Sequence, residues 1–193
     1  MMMINLNFSK YLTILFVSIM SYTPNTIIAQ NIVPQSSTMS ILGTSNVHDW
    51  EIKVGKINGE LGTTNSKQIN TLVIKIPVLS LKSGKSIMDG KTYDAFDAKK
   101  NPTITFQLIE ASQTKLMDKD AEILLTGNLT MAGETKKISF KTIGKITKSG
   151  DYQLKGSAPV KMTDFKIKPP TAFFGSMTTG DAVTVKFDVT FKG

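Results

Sequence analysis

Cysteine and arginine are both absent from the 193 residues, and histidine and tryptophan occur once each, as His48 and Trp50. Without cysteine there is no thiol nucleophile, no disulfide, no thiolate metal site and no lipid-modified N-terminal cysteine. A single histidine excludes a multi-histidine metal site within one chain, and a Ser-His-Asp triad would have to be built on His48. Without arginine the chain lacks the planar fork that reads base edges and stacks on bases, which sets nucleic acid aside as a partner. Carboxylate pairs are thin as well. Asp94 with Asp97, and Asp118 with Asp120, lie among Lys91, Lys99, Lys115 and Lys119, the pattern of solvated surface charge. His48 and Asp49 are neighbours, but adjacent strand residues point to opposite faces, so spacing does not make them a pair. These shortages argue against an enzyme and imply no cofactor and no metal; the one catalytic option left would use His48 or Asp164 as general base on a lipid.

A long apolar run occurs only near the start, over residues 11–20, preceded by Lys10 and followed by Pro24 and Ala29. About ten residues is half of the roughly twenty that a spanning helix needs, and the layout is that of a signal peptide removed after Ala29. The expected organisation is a leader over residues 1–29 and one exported domain, periplasmic or secreted, over residues 30–193. All positive charge is lysine, and the formal net charge is +8. Such an excess suits peripheral contact with an anionic membrane, although Lys136, Lys141, Lys145 and Lys186 are scattered along outward strand positions, as on any solvated surface.

Alternation dominates what is present. Val183, Val185, Phe187, Val189 and Phe191 face one way while Thr184, Lys186, Asp188 and Thr190 face the other, the period of a strand with one covered face. The same pattern predicts eight strands, near residues 38–43, 49–61, 69–81, 103–112, 121–131, 135–147, 151–163 and 182–192. Short turns such as Ala132-Gly133-Glu134 make successive strands antiparallel. A short helical segment falls between the third and fourth strands, where Gly84 and Gly90 flank Ile87 and Met88, Tyr93 and Phe96 follow, and Pro102 resets the backbone. Eight antiparallel strands with one apolar face close into a barrel or stack as a sandwich, and closure removes the exposed edges. Gly127, Gly144, Gly156 and Ala158 fall on the apolar face, as a hollow interior or a bent strand would require.

Four stretches in order, SNVHDWEIKV, SLKSGKSIMDGKTYDAFDAKKNPTITF, LLTGNLTMAGETKKISF and GSAPVKMTDFKIKPPTAFFGSMTTGDAVTVKFDVTF, resemble the YceI-like family from about residue 38 onward. Where that family often carries Arg-Asp at the start of the helical segment, this chain has Met88-Asp89, and an Arg-Asp-Phe-Gly pattern reads Thr163-Asp164-Phe165-Lys166. The resemblance implies an eight-stranded antiparallel lipocalin-like β-barrel, and a long-chain isoprenoid or fatty-acyl lipid, a polyisoprenoid or isoprenoid quinone among them, as ligand. The expected walls are Phe106, Leu108, Leu129, Phe140, Leu154, Val160, Val185, Phe187 and Val189, and the expected mouth has Phe173 and Phe174 on one rim and Phe96, with Met88 and Tyr93, on the opposite one. The alternative is a filled barrel acting as a secreted interaction or stress-response module without lipid.

Overall fold

The computed structural model describes residues 28–193, the side chains of Ala172 and Phe173 excepted. The described residues are mostly strand: β1 (Ile28–Asn31), β2 (Thr38–Ser45), β3 (Trp50–Val54), β4 (Asn58–Thr63), β5 (Ile69–Pro77), β6 (Leu81–Lys82), β7 (Thr103–Ala111), β8 (Ala121–Met131), β9 (Glu134–Ile146), β10 (Tyr152–Lys161), β11 (Thr171–Ala172) and β12 (Met177–Phe191). Among the described residues there is one α-helix, α1 (Ser86–Ala95), between β6 and β7. All named pairs are antiparallel and form one sheet in the order β1-β4-β5-β7-β8-β9-β10-β12-β2-β3-β6, with β11 added beside β12. The sheet curls around its apolar face.

Strands form where alternation is cleanest. In β8, Ile123, Leu125, Gly127, Leu129 and Met131 are buried at every second position, and the Phe106 ring overlies Gly127. The β8–β9 hairpin turns on Ala132 and Gly133, both at positive φ (50° and 82°) between the paired Met131 and Glu134. That is the two-residue turn whose twist matches its strands.

Two of the eight expected runs are interrupted, and two short strands lie outside them. Residues 49–61 become β3 and β4 because the chain leaves the ladder near residue 55, where the Gly55 N–H donates to the Ser80 carbonyl (2.8 Å). Residues 69–81 break after Pro77 into a 3-10 turn at Val78–Ser80, closed by the Ser80 hydroxyl on the Pro77 carbonyl (2.7 Å). β1 and β11 are the additions. Residues 1–27 of the expected leader lie outside the described residues, while Ile28 and Ala29 begin β1, opposite Thr63 and Gly62.

Tight packing closes one end of the curl, where β8 starts and β9 ends. Leu61, Leu116, Ile123, Leu154 and Phe191 are all fully buried there or nearby. A Cβ on Gly144 would stand 2.6 Å from both the Ile123 and Leu116 methyls and 3.2 Å from that of Leu154. Gly156 likewise yields its space to Phe187 (3.1 Å). These glycines accommodate neighbouring side chains; they do not themselves open the interior. One seam in the wall is short. β9 and β10 pair only over Thr142–Ile146 and Tyr152–Gly156, and Pro159, which has no N–H to donate, sits in the part of β10 beyond that ladder.

Candidate functional site

At the other end of the curl the inward side chains do not meet. They enclose a cavity of about 800 Å³, in the upper part of the size range of small-molecule sites. Its walls come from nearly every long strand, and its opening lies among α1, the β2–β3 turn and the segment around Pro170 and Thr171. Period-two geometry explains the wall: each strand sends alternate residues inward, and those positions here are Val, Ile, Leu, Met and Phe. Phe140 stands at the centre of an aromatic chain, 5.5 Å from the Phe106 ring centroid and 5.7 Å from that of Phe187.

Of the expected site residues, Phe96, Phe106, Leu129, Phe140, Leu154, Val160, Val185, Phe187 and Val189 line this cavity. Leu108 is not among the lining residues. It packs against the core where the β7–β8 register shifts between Leu108 and Glu110, since a bulge alters which side chains continue down a face. Phe174 is also excluded: its backbone is left-handed (φ 54°) and its side chain is fully exposed. The Phe173 side chain lies outside the described residues. Met88 lines the opening, but Tyr93 does not. Its hydroxyl donates to the Leu81 carbonyl (2.9 Å) and accepts from Lys82 Nζ (2.6 Å), so it anchors α1 to β6. That bond raises the Lys82 pKa above the ordinary lysine value.

Residues not singled out from the sequence complete the wall, among them Ile41, Ile52, Leu72, Ile74, Met131 and Val183. Alternation in β5, β8 and β12 carries the signal for Leu72, Ile74, Met131 and Val183. Trp50 also lines the cavity. Its indole N–H donates to the Thr44 carbonyl (2.9 Å), and its ring lies over Gly43, where a Cβ would be 2.1 Å away. Asp164 is exposed and outside the lining. The carboxylate that fixes the turn at Met162–Phe165 is instead Asp181, which accepts from the Thr163 N–H (2.8 Å) and hydroxyl (2.7 Å). Those two bonds hold its carboxyl below the usual carboxylate range. Asp89, in the first turn of α1, accepts from the Ser83 N–H and hydroxyl (2.7 Å each) and is lowered for the same reason. Among the described residues, no group of three or more His, Cys, Asp or Glu is placed to hold a metal.

A curled antiparallel sheet around an apolar cavity is the architecture of a β-barrel-type binding fold for apolar ligands. The sequence matches the YceI-like domain over residues 30–191, and the chain belongs to that family. It is 39% identical over 82 residues to a UPF0312 protein of Pseudomonas aeruginosa, a match that spans 39% of this chain and 39% of that relative. Its fold is similar to that of a polyisoprenoid binding domain from Saccharophagus degradans implicated in plant cell wall breakdown (TM-score 0.67, 12% identity, 85% of this chain and 98% of that one). It is similar too to BcnA from Burkholderia cenocepacia (0.66, 19%, 82% and 98%) and to the Campylobacter jejuni YceI protein (0.57, 20%, 72% and 82%).

Proposed function

We propose that this protein is an exported, non-enzymatic lipid-binding protein that holds one long apolar chain, a polyisoprenoid, isoprenoid quinone or fatty-acyl lipid, for carriage or storage. The cavity carries the reading: about 800 Å³ of space walled by aliphatic and aromatic side chains favours an apolar ligand over the filled interior that an interaction module would have. Each buried methylene contributes about 0.8 kcal/mol, so micromolar binding near −8 kcal/mol takes on the order of ten of them, and more once ordering costs are met. The kinship with a polyisoprenoid binding domain supports the same ligand class.

The finer architecture we infer is a wall of eight long strands joined in a ring. β3 and β4 act as one kinked strand opposite β5 and β6, supported by the pairing of β3 with β6 and of β4 with β5. Residues 1–29 act as the leader, and the mature domain of residues 30–193 works in the periplasm or outside the cell. A cut after Ala29 leaves Gln30 and Asn31 still opposite β4, with the Gln30 amide donating to the buried Thr63 hydroxyl (3.1 Å). The lysine excess provides peripheral contact with anionic membrane.

Native mass spectrometry of protein purified from its own export pathway, followed by solvent extraction, tests the reading. A stoichiometric long-chain lipid is the expected result. An empty protein that also refuses prenyl lipids and quinones on titration would favour the interaction module.

A further inference from the structure

The charges around the cavity mouth bear on the head group of the ligand, and the inference rests on the lipid-binding reading above. Among the described residues, the ionisable side chains that line the cavity are all basic, Lys85, Lys91 and His48, and no aspartate or glutamate lines it. Of the carboxylates on the elements around the opening, Asp49, Asp94 and Asp164 are exposed and outside the lining, and four others are engaged by protein groups. Asp89 is held by Ser83, Asp181 by Thr163, Asp97 by Lys100 (3.1 Å) and Glu134 by Lys166 (2.6 Å). Lys85 and Lys91, by contrast, form no ion pair among the described residues. The far end of the curl is packed shut by Leu61, Leu116, Ile123 and Phe191, and a charged group buried there would lose its hydration with no partner to replace it. A single-tailed amphiphile must therefore enter tail first and leave its head beside the two lysines.

We infer that the cavity selects long-chain amphiphiles with an anionic head group, a carboxylate or a phosphate, held at the mouth by Lys85 and Lys91. Ammonium groups act as point charges, so they suit either head without the planar fit that arginine imposes. A neutral chain of equal length fills the same cavity but gains nothing from the mouth.

Displacement of an apolar fluorescent dye from delipidated protein, with matched ligand pairs, tests this. Hexadecanoic acid is compared with its methyl ester, and farnesyl phosphate with farnesol. The expected result is about tenfold tighter binding of each anion at low salt, shrinking as salt is raised. The Lys85→Gln/Lys91→Gln double variant should bring each anion down to the level of its neutral partner. Whichever anion shows the larger preference identifies the head group as carboxylate or phosphate. Equal binding of acid and ester, or a preference that survives in the double variant, would overturn the inference and leave the carrier reading standing. Failure of all four compounds to displace the dye would remove both.

Discussion

Phe140 touches Phe106 and Phe187 with its ring yet is only half-buried, because its remaining surface looks into the cavity. Leu116 is equally apolar but 1% exposed, and it packs at the shut end. The two positions separate binding from stability. A fully buried leucine replaced by alanine costs about 2–5 kcal/mol, and Leu116→Ala should fall in that range with lipid retention preserved in the folded fraction. Phe140→Ala already has open space on one side, so its stability cost should lie below the about 3–5 kcal/mol of a fully buried phenylalanine, while lipid retention drops. Thermal melts paired with extraction of bound lipid from each variant decide it, and retained lipid in folded Phe140→Ala would remove Phe140 from the wall. Gly43 makes a third case. A methyl there displaces the Trp50 ring, so Gly43→Ala should cost about 1–3 kcal/mol as an overpacking change and shift the emission of the sole tryptophan. Unchanged emission would mean that the ring does not rest on Gly43.

At the scale of elements, α1 borders the opening and the Met162–Phe165 turn sends Met162 into the lining, and each is fastened by a few polar bonds. α1 carries Gly90 in its interior, where an added Cβ meets nothing within 4 Å. Gly90→Ala should therefore stabilise the helix by about 0.5–1 kcal/mol through backbone entropy alone. Tyr93→Phe, which removes the bonds to Leu81 and Lys82, should do the opposite. Hydrogen exchange would register the pair as slower and faster amide exchange in α1, with the sheet unaffected in both.

The turn is pH-sensitive. Asp181 is lowered by its Thr163 bonds, so its contribution is complete above the ordinary aspartate pKa and fades as pH falls through the depressed folded value. Asp181→Asn should melt earlier than the wild type near pH 7, with the gap closing once the medium is acidic enough to protonate the wild-type carboxyl. A gap that stays constant down to pH 2 would show that charge plays no part.

Which of these elements could be read in advance depended on the range of the forces that make them. β8 and β12 were legible because a period of two is written into consecutive residues, and the Ala132-Gly133 turn because its φ angles favour glycine locally. The breaks at residue 55 and at Val78–Ser80 depend on a backbone bond between Gly55 and Ser80, and the turn on a bond between Thr163 and Asp181, 18 residues apart. Neither leaves a local mark. Most of the cavity wall followed from alternation, whereas Leu108 was lost to a register shift and Tyr93 to a hydrogen-bonding role that an apolar count cannot reveal.

For the whole molecule, the absence of disulfides and the open interior have a joint consequence. The fold rests on its buried core and on ladders that run around the curl, with no cross-link to restrain the chain if either loosens. Space left empty forfeits dispersion contacts along its lining, so the ligand-free protein should be the weaker form, and the cavity end the weaker part of it. A ligand that binds only the folded state adds RT ln(1 + [L]/Kd), about 2.7 kcal/mol at a hundredfold excess over Kd. For a domain of this size that corresponds to roughly 5–10 °C in Tm. Delipidation should lower the melting temperature by that order, and readdition of a chain that fills the cavity should restore it. Exchange in the delipidated form should quicken first in α1 and in the parts of β9 and β10 beyond their short ladder, while β4, β5 and the start of β8 stay protected. Identical melting and exchange with and without lipid would mean that the cavity contributes nothing to the folded state and that the interior is occupied by something other than a long apolar chain.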